Sequence, residues 1–400
     1  MSQTAAHLVD RVIPHVPVRQ WVLSLPIPLR LLLAAQPELV TSVLQVVHRV
    51  VTRHLLGRAG LKPEEGQGGA VTLIRRFGSA ANLNIHLHCL VLDGVYRRAA
   101  DGSPAFIEAA SPTDDELHAL LQSVIERLMK LLTRRGVLVE DMGQTWLAEP
   151  QAEGEEARTL RPLKAAAITY RIAFGPRAGQ KVLTLRGAMP RESSARQPLC
   201  ADIDGFSLHA AVRVEAHDRK RLEQLCRTIT RPALSDERVQ LNAAGQVELK
   251  LKTPWRDGTT HLVMSPLEFM QRLAALVPRP RLHLIRFHGV LAPNAKLRSW
   301  VVPQGPEGQE QASEGAMASS GEAEAVQDQA RPHRIGWARL LERVFDIDLQ
   351  HCPNCGAGEL KIIAAILERP AIEKILTHLG IDPQPPPRGR AREAGQDFPA

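Results

Sequence analysis

Long apolar runs are missing from this sequence. Its most hydrophobic region, residues 27–56, is broken by Arg30, Gln36, Glu38, His48, Arg49 and Arg53, too polar a stretch to span a bilayer. Residues 1–20 lack the apolar segment of a secretory leader and carry Asp10, Arg11 and Arg19 instead. Cysteine is scarce as well. Only Cys352 and Cys355, of five in the chain, stand at a recognisable spacing, so no disulfide framework is encoded and a reducing cytoplasm is the expected setting. A His-x-Thr or His-x-Ser repeat is also absent: His217-Asp218-Arg219 and His283-Leu284-Ile285 do not supply one, which argues against a two-histidine phosphoesterase of RNA ends.

What is present describes a globular protein with a polyanionic partner. The 400 residues are 44% hydrophobic and 23% charged, enough for two or three domains with a sizeable core. The formal charge is +7 and the isoelectric point near 9.4, which favours nucleic acid over membrane. Residues 303–330 hold six acids and no Lys or Arg, so the rest of the chain rises from +7 to +13. That stretch has almost no large apolar residue, and a disordered acidic linker is expected over residues 301–331. A small module over residues 332–381 and a disordered tail over 382–400 are expected to follow a main domain of residues 1–300.

The most informative stretch is Asn82-Leu83-Asn84-Ile85-His86-Leu87-His88-Cys89-Leu90-Val91-Leu92-Asp93. Its run of Ile, Leu and Val, closed by Asp93-Gly94, predicts a strand ending in a turn. Side chains alternate along a strand, so His86 and His88 project from one face while Ile85, Leu87, Cys89 and Val91 fill the other. Two imidazoles fixed this way can grip one cation, although a catalytic divalent ion needs further partners. Gln224, Asp204 and Glu237 are candidates for a third ligand.

Around this strand the pattern predicts helices over residues 3–12, from Pro37 to about Gly57, and from Ser111 (as cap) with Leu117, Leu120, Leu121, Val124, Ile125, Leu128 and Leu132 buried. Strands are expected over residues 16–25 and 71–76. Residues 148–158 read as loop, and residues 165–173 with 181–186 as a hairpin around Gly175-Pro176-Arg177-Ala178-Gly179. Asp218 can cap a helix to Thr230 with Leu222, Leu225, Cys226 and Ile229 on its apolar face. Arg221, Gln224, Thr228 and Arg231 lie on the other face, which with Arg227 suits a phosphate backbone or plain solvation. Residues 247–254 and 259–264 form another hairpin, and Ser265-Pro266-Leu267-Glu268 is a capping box. Arg279, Arg281 and Arg286, interleaved with Phe287, suit a surface tracking single-stranded DNA, or an edge strand protected by charge. The order of elements predicts an α+β fold: an antiparallel-sheet palm with flanking helices, plus a small C-terminal helical or knuckle module. Cys352-Pro353-Asn354-Cys355-Gly356 is half of a zinc knuckle, with His333, His351 and His378 as candidates to complete a Zn²⁺ site.

With these pieces in place the chain resembles the HUH rolling-circle transposases of the insertion sequence 91 type. The likeness rests on residues 18–26 (Val-Arg-Gln-Trp-Val-Leu-Ser-Leu-Pro), the His86-Leu87-His88 strand, and residues 175–183 and 226–232. Lys252-Thr253-Pro254-Trp255-Arg256-Asp257-Gly258-Thr259-Thr260-His261 and His288-Gly289-Val290-Leu291-Ala292-Pro293-Asn294 complete it. The resemblance implies that His86 and His88 hold Mg²⁺ or Mn²⁺ against the scissile phosphate of single-stranded element-end or target DNA. It further implies that a helix-borne tyrosine attacks to leave a 5′-phosphotyrosine link and a free 3′-OH. No membrane partner is implied, and homo-oligomerisation is compatible. The family tyrosine falls at Thr228, and a second would fall at Gln224. The two tyrosines of this chain, Tyr96 and Tyr170, lie in strand-like segments elsewhere. An aliphatic alcohol leaves less readily than a phenol of pKa about 10, so loss of cleavage is expected. Relatives begin with a cysteine-rich zinc module that this sequence does not contain, and an N-terminally truncated copy is therefore expected.

Overall fold

A computed structural model describes residues 1–99, 101–141, 144–148, 155–187, 198–232, 234–255, 257–278, 282–303 and, beyond them, 336–346, 348, 351, 355, 366, 368–378 and 380. The fold is mixed α and β, and every strand pairing among the described residues is antiparallel, in agreement with the α+β expectation. The residues expected to form the acidic linker and the tail lie almost wholly outside the described ones. No helix among the described residues is long and apolar enough to cross a membrane.

The main sheet has seven strands: β1 (Val18–Ser24), β2 (Gly69–Phe77), β3 (Leu83–Leu92), β4 (Cys200–Ile203), β5 (Phe206–His209), β6 (Arg213–Val214) and β7 (Ile285–Gly289). Their spatial order is β4-β5-β1-β3-β2-β7, with β6 also paired to β1. The histidine strand β3 is therefore central, flanked by β1 and β2. Its register sets Ser24 and Arg75 opposite His86, and Val22 and Leu73 opposite His88. Residues directly opposite share a face, so one side of the sheet carries the histidines with Arg75 and the other carries Trp21, Leu23, Ile74, Leu87 and Cys89. Ile85, Leu87, Cys89 and Val91 are 1%, 0%, 1% and 3% exposed, as the alternation requires. Truncating Leu87 here costs about 2–5 kcal/mol, since an interior this dense cannot collapse onto the gap.

The elements follow the pattern with three exceptions, besides a helix over Ile27–Ala35 that the pattern does not predict. α1 (Ser2–Arg11), α2 (Ile27–Ala35) and α3 (Leu39–Arg58) precede β2; α4 (Asp114–Arg134) and α5 (Glu155–Ile168) follow β3. α4 starts later than the Ser111 cap predicts. Thr113 accepts from the Glu116 backbone and Glu116 from that of Thr113, a reciprocal box that outcompetes a lone serine. α5 overturns the reading of residues 155–158 as loop and of 165–168 as strand. Of that hairpin a short antiparallel pairing survives around the Arg171–Lys181 bridge, with Ile172 donating to Gln180 and Val182 to Tyr170 at 2.9 Å each. Leu183–Arg186 instead joins Val239–Leu241, Val247–Lys250 and Thr259–Met264 in a second, four-stranded sheet. Nor is Tyr170 in a strand: it sits just beyond α5 in the left-handed region, at φ 56°.

The third exception is Asp93-Gly94. It is no hairpin turn, because the next strand, Gly94–Arg98, pairs with Gly66–Gln67 and Pro104–Glu108 in a separate sheet. Asp93 is 2% exposed and bonded by Arg19 through Nε and Nη2 at 2.9 Å each, with Arg213 Nε at 2.7 Å. A Cβ on Gly94 would stand 2.3 Å from the Ile107 carbonyl oxygen, so close approach rather than turning explains the glycine.

Later helices are α6 (Arg219–Thr230), α7 (Pro266–Leu276), α8 (Arg298–Val301), α9 (Trp337–Phe345) and α10 (Arg369–His378). The expected Asp218 cap is present, accepting from the Arg221 backbone at 3.0 Å, and so is the Ser265–Glu268 box. The chain clusters into two compact units. One comprises residues 11–222 and 229–303; the other comprises residues 1–10, 223–228 and the C-terminal part. Within the second, Arg343 of α9 donates to Asp10 at 2.5 and 2.7 Å and to Glu223 at 2.5 Å.

Candidate functional site

The candidate site is built on the half-buried face of β3 that carries His86 and His88. His86 and His88 are half-buried, their ring centroids 4.9 Å apart with planes at 61°. Each ring is held by its Nδ1. His86 Nδ1 lies 2.9 Å from the Asn84 carbonyl oxygen, which only accepts, so the proton sits on Nδ1 and Nε2 is a bare lone pair. His88 Nδ1 lies 2.7 Å from Nε2 of Gln20, a buried side chain on β1.

The electrostatic setting is positive. Burial, then Arg75 and Arg30, hold His86 down to about 4, with the Asn84 carbonyl opposing. Burial, His86 and Arg75 hold His88 well below the ordinary imidazole value. Both rings are thus neutral at physiological pH, the state in which imidazole ligates a metal. The pair fits a divalent ion in part. His86 offers Nε2 as it stands, whereas His88 does so only in the other tautomer. Among the described residues no group of three or more His, Cys, Asp or Glu gathers to hold an ion. The remaining coordination would fall to water and an anionic ligand, which two nearby guanidiniums also favour.

Arg75 connects this face to the end of α6, donating from Nη1 to the Ile229 carbonyl at 2.5 Å while its guanidinium lies 4.5 Å over the Phe77 ring. At the start of α6, Arg219 donates to the Pro14 and Ile13 carbonyls at 3.0 and 2.7 Å. The apolar face of α6 is as expected: Leu222, Leu225, Cys226 and Ile229 are all buried. On the other face Thr228 is exposed and its hydroxyl donates to the Gln224 carbonyl at 2.9 Å. Arg227 is half-buried and Arg231 exposed.

Arg286 is not gathered with the histidine pair. Arg286 stands opposite Thr72 on β7, the face turned away from the histidine pair. Arg279 and Arg281 lie outside the described residues, as does Cys352; Cys355 is exposed, and His351 pairs with Asp348 at 2.8 Å. Of the two tyrosines, Tyr96 is 6% exposed and burial pushes its hydroxyl up to about 12. Tyr170 is also raised by burial, against the pull of Arg272 and Arg30. Sequence reasoning missed the parts played by Gln20, Arg75 and Arg30. For Gln20 a signal existed, a polar residue in a strand otherwise rich in Val, Trp and Leu.

The motif His288-Gly289-Val290 also finds its reason. Gly289 closes β7 at φ 60°, where a Cβ would stand 1.9 Å from the Gly68 carbonyl oxygen, and Val290 donates to that same oxygen at 3.0 Å. No curated protein and no solved structure matches the chain. A family model described as "Putative transposase" (Y2_Tnp) matches residues 69–298, which run from β2 through the histidine strand, α6 and β7 to the start of α8. That match covers more than half of the sequence, and the chain belongs to this transposase family.

Proposed function

We propose that this transposase is of the HUH rolling-circle kind and binds single-stranded DNA at the ends of its mobile element. The observation that carries the reading is the pair of neutral, Nδ1-anchored imidazoles on a central strand beside Arg75 and Arg30. His86 and His88 would hold Mg²⁺ or Mn²⁺, which when bound supplies charge neutralisation at a phosphate oxygen. Arg75 and Arg30 attract the phosphate itself. Arg227 and Arg231 would add contacts to the phosphate backbone of the strand, and affinity should therefore fall steeply with salt.

In intact relatives a tyrosine oxygen bonds to phosphorus as the 3′-oxygen departs to become a free hydroxyl. Here the matching position is Thr228. A second reading, a DNA-binding remnant without strand cleavage, is favoured by the Thr228 hydroxyl, which is engaged with its own helix backbone. The two readings share their binding and differ in chemistry alone.

The test is covalent capture on single-stranded element-end DNA with Mn²⁺. The unmodified chain should give no adduct, and Thr228→Tyr should give one that disappears when His86→Ala is added. Since position 228 is exposed, the larger ring meets no core. An adduct on the unmodified chain mapping to Tyr96 or Tyr170 would relocate the active site.

A further inference from the structure

The geometry points to Gln20 as the positioning residue that sets the tautomer of His88, and through it whether His88 is a metal ligand or a hydrogen-bond donor. The inference rests on the proposed metal reading of the histidine pair. It concerns a residue outside the matched segment, which begins at residue 69.

An amide nitrogen only donates, and Gln20 Nε2 is 2.7 Å from His88 Nδ1. Nδ1 therefore accepts, and a neutral His88 carries its proton on Nε2. In that state Nε2 cannot ligate a cation, but it can donate to a phosphate oxygen. Rotating the Gln20 amide half a turn exchanges its oxygen and nitrogen within the same volume. Oε1 then accepts from Nδ1–H, the proton leaves Nε2, and the lone pair faces outward. His86 has no such freedom, because a backbone carbonyl fixes its proton on Nδ1. One ring is thus a permanent ligand and its neighbour a selectable one. Gln20 suits the task because it is 7% exposed, so water does not readily replace it at Nδ1. Its place on β1, diagonal to His88 across the Val22 pairing, holds it there in either orientation.

The experiment uses the full chain labelled with ¹⁵N, and long-range spectra that read the protonated ring nitrogen of each histidine. Without metal, His88 should report its proton on Nε2 and His86 on Nδ1; Mg²⁺ should move the His88 proton to Nδ1 and leave His86 unchanged. Gln20→Glu, which only accepts, should place the His88 proton on Nδ1 before metal is added and bind Mn²⁺ at least as tightly as the unmodified chain. Gln20→Leu should weaken Mn²⁺ binding about 10–100-fold in calorimetry, the usual loss when a partner orienting a ligand is removed. A His88 tautomer indifferent to residue 20, or equal Mn²⁺ affinities for Gln20→Leu and the unmodified chain, would overturn the inference. If no variant binds Mn²⁺, the metal reading fails, and the metal-free spectra alone decide the role of Gln20. Should Gln20→Leu fail to fold, Gln20→Glu carries the test.

Discussion

Two histidine pairs stand on opposite sides of the same sheet, and their rings are arranged differently. On the helix-covered side, His48 of α3 stacks on His288 of β7 with ring centroids 3.7 Å apart and planes at 27°. His48 Nε2 is 2.7 Å from the Thr72 hydroxyl, whose proton goes to Cys89 Sγ at 3.4 Å, so His48 donates. His288 Nε2 is buried without a partner. On the other side His86 and His88 meet edge to face at 4.9 Å, each held by Nδ1. Near-parallel stacked rings direct their nitrogens within their own planes and cannot converge on one ion. Of the tilted pair, His86 presents Nε2 as a lone pair as it stands, and His88 does so only in its other tautomer. The number of histidines says nothing about this; ring orientation and the partners of Nδ1 decide it.

The contrast can be broken most forcefully at His48. His48→Ala should cost about 2–4 kcal/mol in urea unfolding, from a cavity plus a buried Thr72 left short of a donor. Mn²⁺ affinity should stay unchanged. A loss of affinity at preserved stability would show that the two sides are coupled.

Acid should come next in effect, because burial is the first cause of the depression in all four rings. His288 and His86 are held down to about 4, whereas an unfolded imidazole titrates near 6.5. The unfolded chain therefore takes up protons first as pH falls. Stability is full above about pH 6.5 and drains between there and about 4, at up to about 1.4 kcal/mol per pH unit for each ring. Urea midpoints at pH 7.5, 6 and 5 measure this, and His288→Gln should flatten the slope. A chain equally stable at all three would refute the depressed values.

The smallest effect on stability is expected from the pair proposed to hold the metal. Replacing His86 and His88 together with Ala should change the unfolding free energy by about 1 kcal/mol, since β3 packs through its other face. The same double change should abolish Mn²⁺ binding. A double variant that retains Mn²⁺ binding would remove the metal assignment altogether.

Much of the fold was legible along the chain. Strict alternation around His86 and His88 required one buried and one polar face, and the 3.6-residue stripes of α3, α4 and α6 fall where their buried residues are. Failures came where local signals competed. Thr113 and Glu116 overrode Ser111 as a cap, and residues 155–168 closed into a helix despite Pro162. Asp93-Gly94 has turn chemistry, but Asp93 serves instead to neutralise Arg19 and Arg213 in the interior, where removing one partner costs about 3–5 kcal/mol.

By itself the sequence determined which side chains share a strand face, which stripes must be buried, and that the body is basic, because these depend on backbone periodicity and composition. Only the tertiary structure decided which histidines meet. His48 and His288 are 240 positions apart, Gln20 and His88 are 68 apart, and no local pattern relates them. Their pairing follows from the strand order β1-β3-β2-β7, which brings distant segments to about 4.8 Å spacing and thereby fixes each ring's neighbours, its protonated nitrogen and its capacity to bind.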